Sequence, residues 1–299
     1  MKYYLSTLLL ILSGIAYSQS DTVRIEQHLR AITKTEKPRN HENLDQLNQT
    51  AAYIFEEFAK YSDSVSYQKI KKGVYKNVIC SFGPTDAKRI IVGAHYDVCG
   101  NQEGADDNAS GVVGLLELAR LLKGKELKYR IDLVAYSLEE PPFFRSEMMG
   151  SFEHAKYLKD NNIDVFGMIA VEMIGYFDDA KGSQDYPIGL LSLFYGKRGN
   201  YITLVKKLKG GKFVRKMNRK YKKTDVIRTK KISAPKALEG IDWSDHLNYW
   251  NMGFNAMMIT DTAFLRNKNY HQTTDTMETL DLNRMAKVID GLYLSLIGM

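Results

Sequence analysis

The stretch RIIVGAHYDVCGNQEGADDNASGVVGLLELARLL, residues 89–122, changes character three times. Residues 89–95 are an apolar run with β-branched side chains, which reads as a strand. Residues 109–122 are apolar almost all round and stop at Gly124, the pattern of a buried helix with a glycine beyond its C-terminus. The loop between them carries His95, Asp97, Asp106, Asp107 and Asn108. Its flanking glycines, Gly104 and Gly111, permit an unusual backbone after Asp107, a strained or cis peptide included. A strand feeding a buried helix through a polar loop is a building block of α/β folds.

The alternation continues outward. Residues 41–60 carry Leu44, Leu47, Ala51, Ile54, Phe55 and Phe58 at helical spacing. Residues 78–82 read as a strand paired with 89–95 in a hairpin around Gly83-Pro84-Thr85-Asp86. Residues 131–138 and 168–174 read as interior strands with a helix at 147–158 between them. Then follow a strand at 189–194, basic helices, a helix at 244–250 and a strand at 256–260. The last helix opens at Asp281 as N-cap, with Leu282, Met285, Val288, Ile289, Leu292 and Leu296 on one face. This order predicts a mixed, mostly parallel central sheet with helices on both faces. Such sheets place their sites beyond the strand C-termini.

The formal charge of +7 is unevenly spread. Residues 197–231 hold 15 Lys or Arg against the single Asp225, a local +14 that leaves −7 for the remainder. Within that segment Leu204, Val205, Leu208, Phe213, Val214 and Met217 recur at helix-like spacing, so it reads as a solvated helix face. An acidic glycan, lipid or peptide is the alternative partner. No stacking-aromatic pattern accompanies the charge, which argues against nucleic acid.

Residues 1–18 read as an export signal, with Lys2, an apolar run at 8–12, and Ala16 and Ser18 as the small residues of a cleavage site. That run is too short to span a bilayer, and no later stretch approaches the roughly 20 apolar residues a membrane helix needs. The expectation is therefore a periplasmic or secreted chain over residues 19–299, with no stable membrane anchor. In the hairpin register, Cys80 and Cys99 would lie roughly 25 Å apart along the strand direction. A disulfide needs Cα atoms within about 7 Å, so two free thiols are expected.

Four short pieces carry metal-ligand chemistry: His95-Tyr96-Asp97, Asp106-Asp107-Asn108, Glu139-Glu140 and Tyr270-His271. His95 and Asp97 are two apart at a strand end and can face one side, the carboxylate orienting the imidazole. Pro141-Pro142 stops the strand after Glu139-Glu140, where one carboxylate can grip a metal while its neighbour faces a water. Glu172, alone among Val171, Met173 and Ile174, needs a partner or a cation because an unpaired buried charge is costly. Taken singly, each piece has an ordinary explanation: a surface pair, a helix cap, solvated glutamates. Together they supply five N/O ligands and a spare carboxylate, the requirement of two zinc ions and a water-activating base.

Gly93-Ala94-His95-Tyr96-Asp97, Gly104-Ala105-Asp106-Asp107-Asn108-Ala109-Ser110-Gly111 and Glu139-Glu140 together resemble the co-catalytic zinc exopeptidases. These are secreted bacterial aminopeptidases, with glutamate carboxypeptidases and glutaminyl cyclases as relatives. The resemblance runs from about Arg39 to the final helix. It implies an α/β three-layer sandwich, a single catalytic domain over residues 19–299, two Zn²⁺ per chain and a peptide substrate. It implies His95 with Glu172 on one ion, Glu140 with His271 on the other, and Asp107 bridging. Glu139 would be the general base, Asp97 the support of His95, and Tyr270 a hydrogen-bond donor to the developing oxyanion. With a bridging hydroxide, the charges of Asp107, Glu140 and Glu172 would neutralise the two ions.

The leading implication is an aminopeptidase that cleaves the N-terminal peptide bond through a metal-bound hydroxide. A glutaminyl-peptide cyclotransferase and a carboxypeptidase are the alternatives on the same fold. Cyclases commonly lack the Asp-Asn-Ala-Ser-Gly continuation, and no motif marks an arginine clamp for a C-terminal carboxylate. Many relatives have Asp where this chain has Glu172. Asp245-His246, in Trp243-Ser244-Asp245-His246, resembles a recurrent family segment, expected to support the ligands or line the pocket, with a purely structural role as the alternative.

Overall fold

The computed structural model describes residues 19–70 and 73–299, so the expected export signal lies outside the described residues. The elements are α1 (Thr22–Thr33), α2 (Leu44–Ala59), β1 (Ser64–Ile70), β2 (Tyr75–Phe82), β3 (Arg89–His95), α3 (Gly111–Leu122), β4 (Arg130–Tyr136) and α4 (Gly150–Asp160). They continue as β5 (Val165–Glu172), α5 (Leu191–Tyr195), β6 (Ile202–Lys207), α6 (Gly211–Thr224), β7 (Thr229–Ala234), α7 (His246–Asn251), β8 (Ala256–Thr260) and α8 (Leu282–Ile297). The eight strands form one mixed sheet in the order β1-β2-β4-β3-β5-β8-β6-β7. Its centre, β4-β3-β5-β8, is parallel throughout.

Strand periodicity builds the layers. Val92, Leu133, Ile169 and Met257 face one core, shared with Leu47 and Ile54 of α2, Val112 and Leu115 of α3 and Ile289 of α8. Their neighbours Ile91, Val134, Met168 and Met258 face the other, with Leu158 of α4 and Trp250 of α7. Side chains that alternate between two cores make the α/β three-layer sandwich expected from the sequence. Asp281 caps α8 by accepting the Arg284 N–H at 2.9 Å. Among the described residues, no helix is long and apolar enough to cross a membrane.

Three local expectations are corrected. Residues 78–82 and 89–95 are not a hairpin, because β4 lies between them, antiparallel to β2 and parallel to β3. The six residues 83–88 arch over the start of β4, a wholly buried and mostly apolar strand that takes the interior place with hydrogen-bonded neighbours on both edges. Cys80 therefore pairs with Leu133 of β4, and both cysteines are free. The basic segment is not helical throughout. Ile202-Thr203-Leu204-Val205 is a strand rich in β-branched residues, and of the six spaced apolar residues only Phe213, Val214 and Met217 lie on α6, on its buried face. The expected strand at 189–194 is instead the short helix α5, none of whose residues is buried, so its apolar run does not enter the sheet.

Candidate active site

Neighbouring strands deliver the acids and imidazoles to one rim. His95 closes β3, Glu139 and Glu140 follow β4, and Glu172 closes β5. His271 comes from the long connection between β8 and α8, and Asp107 from the tight turn Ala105–Ser110 that leads into α3. Leu138, Met173 and His271 sit at φ of 61°, 50° and 57°, left-handed conformations that non-glycine residues seldom adopt. Strained backbone thus adjoins Glu139 and Glu172 and includes His271. The Asp107–Asn108 peptide is cis, one of the two conformations anticipated after Asp107.

The predicted ligands meet in two trios that share Asp107. His95 Nε2 lies 3.3 Å from Asp107 Oδ1 and 3.5 Å from Glu172 Oε2. His271 Nε2 lies 3.2 Å from Asp107 Oδ2 and 3.2 Å from Glu140 Oε2. Four ligands set about 2.0–2.1 Å from a tetrahedral zinc lie about 3.3 Å from one another, which is the spacing of each imidazole nitrogen from its two carboxylates. His95 Nε2, His271 Nε2 and Glu140 Oε1 are buried without hydrogen-bond partners among the described residues. Orphaned polar atoms at ligand spacing fit a divalent cation. Glu139 Oε2 stands farther off, 3.8 Å from His95 Nε2. Cys99, not considered as a ligand from sequence, joins Glu140 and His271, with ligand atoms all within 4.8 Å of one another.

Several buried groups hold these residues in place. The Asp97 carboxylate accepts the backbone N–H groups of both Glu139 and Glu140 at 3.1 Å. His95 Nδ1 meets the backbone carbonyl of Asp97 at 3.2 Å and its carboxylate at 3.5 Å, so Asp97 orients the imidazole mainly through its main chain. Asp275 does for the other loop what Asp97 does here, accepting the N–H groups of Asp106 and Asp107 at 3.0 Å. Glu172 Oε2 accepts from Ser244 at 2.8 Å and from Asn108 at 3.1 Å. Arg39, fully buried, donates to the carbonyls of Tyr96, Glu103 and Gly104 and so ties the connection between β3 and α3, which carries Asp97 and Asp107, to the segment between α1 and α2.

Sequence reasoning did not single out Arg39, Asp275 or Cys99. Their partners are main-chain atoms or distant residues, which leave no local pattern. In the Trp243–His246 segment Ser244 holds Glu172 and Trp243 lines the cleft, while Asp245 and His246 are buried, with His246 Nε2 against the Ile241 carbonyl.

Burial dominates the electrostatics. It raises the Glu139 carboxyl well above its usual range, against the pull of His95. Burial and then Asp107 push Glu140 up to about 8. Burial also opposes charge on Asp107, yet the His271 and His95 imidazoles facing its two oxygens win and hold it low. His271 rises to about 10 despite burial, because Asp107 and Glu140 favour the charged ring. Burial, with Glu140 beside it, pushes the Cys99 thiol up to about 11. Protons thus balance part of the acid cluster, the charge that a cation would supply in their place.

The trios open into a cleft bounded by Phe144, Arg145, Trp243 and Tyr270. Glu172, Trp243 and Tyr270 are shared with a second, apolar recess lined by Val205, Ile232, Leu238, Ile241, Met258 and Phe264. The arrangement sets candidate divalent-cation ligands beside a further carboxylate, Glu139, and an apolar side-chain pocket.

Residues 77–295 match peptidase family M28. The chain belongs to that family. It is 45% identical over 279 residues to the uncharacterized protein YfbL of Escherichia coli K12, covering 90% of this chain and 85% of YfbL. A "Probable leucine aminopeptidase" of Trichophyton verrucosum is 27% identical over 270 residues, covering 84% of this chain and 67% of the fungal protein. Legionella pneumophila LapA aminopeptidase shares the fold at a TM-score of 0.71 and 20% identity, over 93% of this chain and 72% of LapA. A Bacteroides thetaiotaomicron glutaminyl cyclase shares it at 0.67 and 19%, over 93% and 98%. Family M28 and its aminopeptidase members place the chain among peptide-bond hydrolases.

Proposed function

We propose that this M28 chain is an exported two-zinc aminopeptidase, with one catalytic domain over residues 19–299 behind an export signal at 1–18. The observation that carries the reading is Asp107, whose two carboxylate oxygens each face a different imidazole, Oδ1 toward His95 and Oδ2 toward His271. His95, Asp107 and Glu172 would hold one ion, and Asp107, Glu140 and His271 the other. Bound zinc would polarise the scissile carbonyl and lower the pKa of the attacking water.

The chain's own residues supply the rest. Glu139 lines the cleft as the carboxylate outside both trios, in position to take a proton from the water and pass it to the departing amine. Asp97 fixes the Glu139-Glu140 backbone, so base and ligand keep a constant relation. Burial raises the Tyr270 hydroxyl far above its ordinary range, which keeps it a hydrogen-bond donor to the developing oxyanion. The apolar recess beside Tyr270 suits a branched aliphatic side chain on the first residue, so leucine is the preferred residue in this reading.

The glutaminyl cyclotransferase alternative shares the fold, and a carboxypeptidase would need a free cation in the cleft. Arg145, at the cleft, is instead held by both oxygens of Asp242 at 2.7 and 3.1 Å, which supports the aminopeptidase reading over a carboxypeptidase. The test is a matched set of peptides. Release of leucine from Leu-peptides, abolished by N-acetylation, is the expected result. Ammonia release from Gln-peptides without loss of the residue would transfer the assignment to the cyclase.

A further inference from the structure

We infer that Cys99 is a sulfur ligand to the ion held by Glu140 and His271, making the two halves of the metal centre chemically unequal. This deepens the two-zinc reading and rests on it. Cys99 follows Asp97 by two residues in the loop after β3 and is half-buried. Its sulfur, a Glu140 oxygen and a His271 ring nitrogen lie within 4.8 Å of one another. The thiol is in no disulfide.

A second observation points to a ligand independently of the thiol. Glu140 is only 4% exposed; its Oε2 faces His271 at 3.2 Å, while its Oε1 is buried without a hydrogen-bond partner. A carboxylate oxygen desolvated in this way is costly unless a cation meets it. The trio of His95, Asp107 and Glu172 differs, because it offers nitrogen and oxygen alone. On loading, the Cys99 S–H bond gives way to a sulfur–metal bond and the proton passes to bulk water. A soft thiolate then biases the Glu140–His271 half toward zinc or cadmium over manganese or magnesium, while the other half lacks that bias.

The experiment loads the whole chain with cobalt(II) and reads two signals: visible d–d bands, and a near-ultraviolet sulfur-to-cobalt charge-transfer band. Both are expected in the unmodified protein. Cys99→Ser should keep the d–d bands, lose the charge-transfer band and weaken one of the two ions by at least about tenfold, no less than the loss of an outer-shell partner costs. Cys80→Ser should keep both signals, since Cys80 is buried in β2. Zinc-edge X-ray absorption of the unmodified protein should show one sulfur for every two zinc ions at about 2.3 Å. Cobalt d–d bands with neither a charge-transfer band nor that sulfur distance would overturn the inference and leave the two-zinc reading standing. A chain that takes up no cobalt or zinc would overturn both.

Discussion

The Asp97 carboxylate accepts the backbone N–H of Glu140 at 3.1 Å, with the N–H of Glu139 on its other oxygen. One side chain thereby sets the positions of the proposed base and a proposed ligand. Replacing Asp97 with Ala frees both N–H groups and loosens His95 as well. Zinc affinity should fall about 10–100-fold, the usual cost of losing a group that orients ligands. Competition with a chromophoric chelator measures it. Unchanged affinity would show that the Glu139-Glu140 turn holds itself.

Glu139→Gln keeps the shape of the site and removes the base. Turnover of a leucyl anilide should drop about 10²–10⁴-fold. Zinc content should not change, because Glu139 stands outside both trios. Loss of zinc in this variant would mean that Glu139 is a ligand, and near-normal turnover would mean that it is not the base.

Tyr270 stacks on His271 with ring centroids 3.8 Å apart, so Tyr270→Phe preserves the packing and removes only the hydroxyl. The expected effect is on kcat, about 10²-fold or more, with KM little changed. A change confined to KM would assign Tyr270 to the pocket wall instead.

His154 and His246 are buried, and burial pushes each down to about 4. An unfolded histidine titrates near 6.5, so between pH 6.5 and 4 the unfolded chain binds more protons than the folded one. Stability from these two residues is therefore complete above pH 6.5 and lost as pH falls toward 4, by on the order of 3 kcal/mol each. Urea unfolding between pH 7 and 4.5 should show this loss, and His154→Gln should reduce its slope. Equal slopes in the two proteins would remove His154 from the account.

The layer architecture was legible because it follows from local periodicity. Residues 109–122 are apolar almost all round, and α3 is buried on nearly every face. His95, Glu140, Glu172 and Asp107 were legible because they lie at strand ends or at a helix start, where a charge next to an apolar run stands out; His271, in the long connection between β8 and α8, was legible only through the resemblance. Strand neighbours were not legible. Whether β2 meets β3 or β4 depends on competition for the sheet interior, and a short loop between β2 and β3 is compatible with either. The β6 strand was hidden because Leu204, Val205 and Leu208 extend the helix-like spacing of Phe213, Val214 and Met217 in the following helix. Arg39 and Asp275 were hidden for another reason: each grips backbone groups far along the chain, and such groups have no sequence signature.

The most direct test of the whole account is zinc stoichiometry by mass spectrometry of the unmodified chain beside Asp107→Ala, His95→Ala and His271→Ala. The account predicts two zinc ions in the unmodified chain, one in each histidine variant, and little or none when the shared carboxylate is gone. An unmodified chain without zinc, or an Asp107→Ala variant that still holds two ions, would contradict it.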